Sequence, residues 1–145
     1  GRDLWLSPML AVVLVAQAAA AGAAALAIVA VARDADDGLQ RFLALSLLAA
    51  IAVIAASTAM EYSHATHGTR QARAAIRNLL RGPFATMFWW GAVVAGMIAP
   101  AALLAVSLAT DGPAALLVAA AVLSLGGLFA AEHTFVKAGQ SVPLS

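Results

Sequence analysis

Cysteine is absent from this 145-residue chain, and several kinds of site are excluded with it. Without a thiol there is no disulfide, no cysteine-ligated zinc or iron–sulfur centre and no cysteine nucleophile. Charged residues are also scarce, at 10% of the chain against about 25% in an ordinary soluble domain. The net charge of +1 offers no basic surface for nucleic acid. Phosphate-binding, dinucleotide-binding, zinc-protease and serine-hydrolase motifs are missing too, so we assign no catalytic residue and no metal site.

Long apolar runs dominate what remains. Hydrophobic residues make up 63% of the chain, and its mean hydropathy is +0.94. Four runs, at about 9–32, 42–63, 84–108 and 113–136, each reach the roughly 20 residues that cross a bilayer. They predict an all-α membrane protein whose four transmembrane helices form an antiparallel bundle. Pro100, inside the third run, predicts a kink whose simplest role is packing.

Small residues recur within these runs and predict close contacts between helices. Ala18 with Gly22 and Ala92 with Gly96 are pairs with four-residue spacing, and Gly126 and Gly127 are adjacent. Small side chains let helix backbones approach in a membrane. We therefore expect a tight bundle with little internal volume, and no large cofactor at its centre.

The loop between the second and third runs has a helical pattern of its own, over residues 69–81. Its basic residues recur along one stripe, at Arg70, Arg73, Arg77 and Arg81. Apolar residues occupy the other side, and Gly82-Pro83 ends the segment. This pattern predicts an amphipathic helix in the headgroup region. Lipid anchoring is its simplest role, and docking of a partner or a proton entry route is the alternative.

Basic residues also predict the orientation of the chain in the membrane. One face carries six of them, Arg2, Arg70, Arg73, Arg77, Arg81 and Lys137. The other face carries Arg33 and Arg41 beside four aspartates. Because cytoplasmic loops hold the excess of Lys and Arg, we expect both ends and the long loop to be cytoplasmic. Trp5, Tyr62, Trp89 and Trp90 belong to that face and are expected to anchor it at the interface.

Few polar groups lie in or beside the predicted spans, and they are the candidate site residues. Glu61, His64, Glu132 and His133 all belong to the arginine-bearing side. Ionisable groups in a membrane mark proton paths or ligand sites by default, so a proton path or a quinone site is one interpretation. A cluster of ion-paired, interfacial side chains that fixes the helix ends is the other. For Gln17, within the first span, we expect an interhelical hydrogen bond.

Haem b would need two histidines facing each other from different helices. The only available pairing joins His64 or His67 to His133, and these residues follow or close their spans. We therefore expect no haem b and no covalently bound cofactor.

Three segments resemble a known family. They are the closing segment from Gly126-Gly-Leu-Phe to Ala138-Gly-Gln-Ser-Val-Pro-Leu144, the segment Trp5-Leu-Ser-Pro8 with the small-residue helix after it, and Phe88-Trp-Trp-Gly to Pro100. In order and spacing they are similar to segments of the NrfD/polysulfide reductase membrane-subunit family. The resemblance covers nearly all of the chain.

The resemblance implies a function as well as a fold. Members of the family have eight or more spans in two four-helix bundles, so we expect this chain to be the second half of a longer subunit. It would anchor an extrinsic iron–sulfur subunit and a catalytic subunit in a bacterial or archaeal cytoplasmic membrane, and exchange electrons with the quinone pool. Because the family's quinone binding is ascribed to the first bundle, a proton path or a scaffold role is implied for this half. A four-span cytochrome b subunit and a small transporter or structural membrane protein are the alternatives.

Overall fold

The computed structural model describes residues 9–64 and 69–142, with the side chain of His64 excepted, and this part is nearly all helical. Its helices are α1 (Met9–Ala32), α2 (Asp37–His64), α3 (Arg70–Arg81), a π segment (Met87–Ile98), α4 (Ala99–Thr110) and α5 (Ala114–Gln140). The π segment continues directly into α4, and the two form one span. Four helices are long and apolar enough to cross a membrane. The predicted all-α, four-span class is confirmed.

The turns at one end of the bundle explain where the helices stop and start. Asp36 caps α2, because its carboxylate accepts a hydrogen bond of 3.0 Å from the amide of Leu39. This cap places the start of α2 at Asp37, earlier than the predicted residue 42. Asp34 and Asp111 adopt left-handed conformations, with φ of 49° and 47°, which aspartate tolerates better than most residues. We call this end, with its four aspartates, the aspartate end.

The four spans form a ring in the order α1, α2, third span, α5. α1 packs against α2 and α5, and α5 packs against the whole third span. α2 meets the third span chiefly through α4, because the π segment lies farther from it. The core at the α4 level is built from small and branched residues that are almost fully buried: Ala24, Ala27, Leu47, Leu104, Ala120 and Ala121. At the end opposite the aspartates, α2 and the π segment touch chiefly through the rings of Tyr62 and Phe88.

Close helix packing occurs at some of the predicted small residues but not at others. Gly96 and Gly127 meet backbone to backbone, and a Cβ on either would overlap the other. Ala92 is also buried, as expected. The prediction for Gly22 was wrong within this bundle, because the residue lies on the outer face of α1 and a Cβ there would meet nothing within 4 Å. The same holds for Gly126, one residue from Gly127.

Pro100 lies at the junction between two helical geometries. Its predecessor Ala99 still donates its N–H to the carbonyl of Val94, five residues back, whereas α4 begins at Ala99 with regular geometry. Proline lacks an N–H, and its ring clashes with the carbonyl four residues earlier in a regular helix. The wide turns of the π segment end beside this residue, so a local change of helix geometry accompanies Pro100.

The predicted amphipathic helix is present as α3, and it packs on the bundle. Thr69 caps it by accepting a hydrogen bond of 3.2 Å from the amide of Ala72. Its apolar side is covered by protein: Ala75 and Leu79 are completely buried, in contact with residues of α5 and the π segment. The four arginines are exposed. The helix is therefore anchored by protein contacts on one side and offers its arginines on the other. We call this the arginine end.

Two further hydrogen bonds hold α3 in place. The indole nitrogen of Trp89 donates to the carbonyl of Leu80 over 3.0 Å. The amide of Asn78 donates to the hydroxyl of Ser141, beyond the end of α5, over 3.1 Å. Trp89 and Trp90 remain largely exposed, at 47% and 67%. Trp89 thus connects the basic helix to the third span while keeping a surface for the interface.

Candidate functional site

A small cavity opens at the arginine end of the bundle. Its volume is about 40 Å³. All four spans contribute to its wall, which consists of Leu10, Val13, Gln17, Ile54, Thr58, Glu61, Tyr62, Phe88, Met97, Ala131, Glu132 and Phe135. Most of this wall is apolar, and its polar groups come from α1, α2 and α5. We call it the carboxylate cavity.

Two carboxylates from different helices meet at this cavity. Glu61 on α2 is half-buried, whereas Glu132 on α5 is exposed although it lines the same cavity, which places it at the mouth. Tyr62 lines the same cavity, and its ring makes an edge contact with Phe88 at 5.7 Å. The structure therefore brings Glu61 and Glu132 together, although 70 intervening residues separate them in sequence.

Ion pairing does not account for Glu132 in the part of the chain that the structure describes. The ion pair found there joins Arg41 to Asp111 at the aspartate end, with an N–O distance of 3.4 Å. The arginines of α3 face outward and are exposed, so none of them pairs with Glu132. Lys137, five residues after Glu132, is exposed as well. Of the two interpretations of this residue, the ion-paired cluster receives no support from the geometry.

The histidines are placed differently from the carboxylates. His133 is exposed on the outer side of α5, where its ring stacks on Phe129 at 5.9 Å, and it does not line the carboxylate cavity. The side chain of His64 and all of His67 lie outside the described residues, as do Arg2, Trp5, Ser7 and Pro8. Among the described residues, no group of three or more His, Asp or Glu is arranged to hold a metal ion. Of the four predicted site residues, Glu61 and Glu132 line the cavity and His133 lies away from it, while the side chain of His64 lies outside the described part of the chain.

The size of the cavity decides what it can hold. A buried water needs about 10–15 Å³ of such space, whereas pockets for small organic ligands usually measure about 300–1,000 Å³. At about 40 Å³ the cavity admits a few waters and no quinone ring. A larger groove, of about 600 Å³, lies between α1 and α2 on the outer surface. Its wall is apolar apart from Ser46, whose hydroxyl donates to the carbonyl of Phe42, so it offers little to recognise a polar head group.

Sequence reasoning missed part of this site. It assigned Tyr62 to the interface as an anchor and expected an interhelical hydrogen bond for Gln17. In the described part of the chain Gln17 makes no such bond and lines the cavity instead. One signal was available: Thr58, Glu61 and Tyr62 have the spacing i, i+3, i+4 and share one face of α2. That spacing identifies a polar face, but it does not say which helix covers it.

Comparison with known proteins identifies a family. The family model described as "Polysulphide reductase, NrfD" matches residues 1–143. Comparisons with curated proteins and with solved structures gave no match.

Proposed function

This chain belongs to the NrfD polysulphide reductase family, and from that premise we propose that it is the membrane anchor of a respiratory oxidoreductase complex. In this role it binds an extrinsic iron–sulfur subunit and serves electron exchange between that partner and the quinone pool. The chain has no cysteine to ligate an iron–sulfur centre of its own, so electrons enter from the partner. Members of its family are found in prokaryotic membranes. In the proposed complex the catalytic subunit is bound outside the lipid.

The carboxylate cavity carries the more specific part of the proposal, a proton site. Glu61 and Glu132 line one cavity that is large enough for water and too small for quinone. A carboxylate side chain can accept and release a proton, and Glu61 and Glu132 both line a cavity that admits water. That water can exchange protons between the two side chains and the arginine end. The quinone itself is assigned to another surface of the complex.

Glutamate-to-glutamine substitutions test this role in the assembled complex. Glu132→Gln and Glu61→Gln keep the shape of each side chain and remove its titration. With the complex in vesicles that contain a pH-sensitive dye, we expect quinone-coupled turnover to slow on the order of 10²-fold where proton transfer becomes limiting. Asp34→Asn is the control, because it changes an exposed carboxylate at the aspartate end to a residue that also tolerates the left-handed conformation.

The outcomes separate the two parts of the proposal. Unchanged turnover and proton uptake in both glutamine variants would remove the proton site and leave the anchor role. Purification of the chain from native membranes without any iron–sulfur subunit would remove the anchor role and favour the transporter or structural alternative. Haem bands in a reduced-minus-oxidised spectrum of the purified subunit would favour the cytochrome b alternative.

A further inference from the structure

Ser124 is a buried hydroxyl that does not follow the usual pattern of this bundle. Hydroxyl groups in membrane helices commonly donate to a carbonyl one turn back. Thr134 does so at 2.8 Å to the carbonyl of Ala130, and Thr110 does so at 2.8 Å to that of Val106. Ser124 is only 1% exposed, and its Oγ is the one buried side-chain polar atom in the described part of the chain that has no hydrogen-bond partner. A buried polar group of this kind calls for a partner.

The hydroxyl lines a second, smaller cavity. This cavity measures about 10 Å³, which is close to the least space that holds one water. Its wall is formed by Ala20, Ile51, Ile54, Ala92, Gly96, Met97, Ser124, Gly127, Leu128 and Ala131. No side chain other than Ser124 contributes an oxygen or nitrogen atom to it, so a second polar partner for a water must come from the backbone.

The backbone offers a partner in the turn before Pro100. Ala99 bonds five residues back to Val94, α4 continues with regular geometry, and Pro100 has no N–H, so the carbonyls of residues 95 to 97 outnumber the N–H groups available to them. Proline in a membrane helix is tolerated where other groups, ordered water included, satisfy such carbonyls. Because Gly96 belongs to the wall of the small cavity, one water there can donate to the carbonyl of Gly96 and also bond to Ser124.

The two cavities are neighbours. Ile54, Met97 and Ala131 belong to the walls of both. Ser124 precedes Glu132 by eight residues on α5, which is about 12 Å along the helix axis. Together the cavities extend from the carboxylates at the arginine end to the middle of the bundle.

Beyond Ser124 the described residues of the bundle core are apolar and tightly packed. Leu47 and Leu104 are completely buried at that level, with Ala24 and Ala120 beside them. The next polar pocket, lined by Asp37, Arg41 and Asp111 among others, lies at the aspartate end on the far side of this apolar layer. A hydrated path from the arginine end therefore ends at Ser124.

We propose that Ser124 and the carbonyl of Gly96 bind one buried water molecule, which is the inner end of a one-sided hydrated path from Glu61 and Glu132. The role of this water in proton transfer rests on the proposed proton function. The water site itself is inferred from the cavity, the hydroxyl and the proline. Protons enter and leave this path at the arginine end and do not cross this bundle.

Radiolytic labelling tests the water site directly. Water molecules bound inside a protein give hydroxyl radicals under an X-ray pulse, and the radicals oxidise the nearest reactive side chain. Met97 lies in the wall of both cavities, whereas Met87 lies near the surface, 38% exposed. With the full complex in nanodiscs and H₂¹⁸O as solvent, we expect ¹⁸O at Met97 in the wild-type protein. Ser124→Ala should lower the labelling of Met97 and leave that of Met87 unchanged.

A matched variant controls for effects on packing. Thr134→Val removes another buried hydroxyl, one that is already bonded to backbone carbonyls, and should leave the labelling of Met97 unchanged. Labelling of Met97 that is absent, or that is equal in wild type and Ser124→Ala, would overturn the proposal, because water would then be missing or confined to the outer cavity. Labelling needs no turnover, so a failed proton role would leave this result intact and be recognised separately.

Discussion

Gly96 and Gly127 are in direct backbone contact where the third span crosses α5, with no room for a Cβ on either residue. Small residues at such crossings replace the hydrophobic driving force that lipid does not provide between helices. The contact also sets the spacing of the two helices beside the cavity that Ser124 lines. A single methyl group at this crossing therefore acts on the packing and on the inner cavity together.

Alanine substitutions at two adjacent glycines test this crossing. Gly127→Ala forces the helices apart, and we expect a loss of about 1–3 kcal/mol in the free energy of unfolding, as for other overpacked sites. Gly126→Ala adds the same methyl group where nothing lies within 4 Å, and should leave stability unchanged or slightly raised. Denaturant unfolding in mixed micelles, followed by tryptophan fluorescence, measures both. Equal stability of the two variants would contradict the direct backbone contact between Gly96 and Gly127.

A disulfide test reports the register of the π segment against α5. A Cβ at Gly91 would lie 3.0 Å from the Cβ of Ala130, so the double variant Gly91→Cys/Ala130→Cys should crosslink on mild oxidation after a small adjustment. The native chain has no cysteine, and no competing bridge can form. Adding Pro100→Ala restores an N–H and permits a regular helix, which would rotate Gly91 away and lower the crosslink yield. Equal yields would show that Pro100 does not maintain the wide geometry.

The hydrogen bond from Trp89 to Leu80 predicts a local effect on α3. Trp89→Phe keeps an aromatic side chain at the interface and removes the indole N–H, at a cost of about 1 kcal/mol. We expect faster amide hydrogen exchange in α3, while the four spans keep their protection. Trp90→Phe is the matched control, since within the described part of the chain that more exposed side chain makes no hydrogen bond to α3. Slower or unchanged exchange in Trp89→Phe would show that α3 is held by its buried apolar side alone.

Single cysteines test the orientation that the basic residues predict. Arg77→Cys places a thiol on the exposed side of α3, and Asp34→Cys places one at the aspartate end. In intact cells a maleimide that does not cross membranes should label position 34 and leave position 77 unlabelled until the membrane is opened. The cysteine-free native chain provides the blank. Labelling of position 77 from outside would reverse the orientation and every cytoplasmic assignment made from it.

Much of the fold could be predicted because lipid imposes simple rules on sequence. Apolar runs of sufficient length located all four spans, and the arginine stripe with Gly82-Pro83 located α3. Helix ends were less accurate, because the Asp36 cap lengthens α2 beyond its apolar run. The wide geometry before Pro100 was not predicted either, since a proline indicates a disturbed helix without specifying which turns absorb it.

Only part of the candidate site could be predicted from the sequence. Glu61 and Glu132 were identified as ionisable groups beside apolar runs, and this needed no structure. That they share a cavity with Tyr62, whereas His133 faces outward, depends on the rotation of α5 about its own axis. The polar residues Glu132, His133 and Thr134 are consecutive and lie on different sides of α5, so no polar stripe in its sequence indicates that rotation.

The sequence alone determined that the helices lie in lipid, how many spans there are and which family the chain belongs to. These properties depend on length, composition and the order of short motifs. Tertiary structure alone decided which glycines touch, which carboxylates meet and that Ser124 lacks a partner. The physical reason is that membrane helices are selected by total hydrophobicity, whereas their pairing depends on the fit of individual side chains, which Gly126 and Gly127 show by lying side by side in sequence with opposite environments.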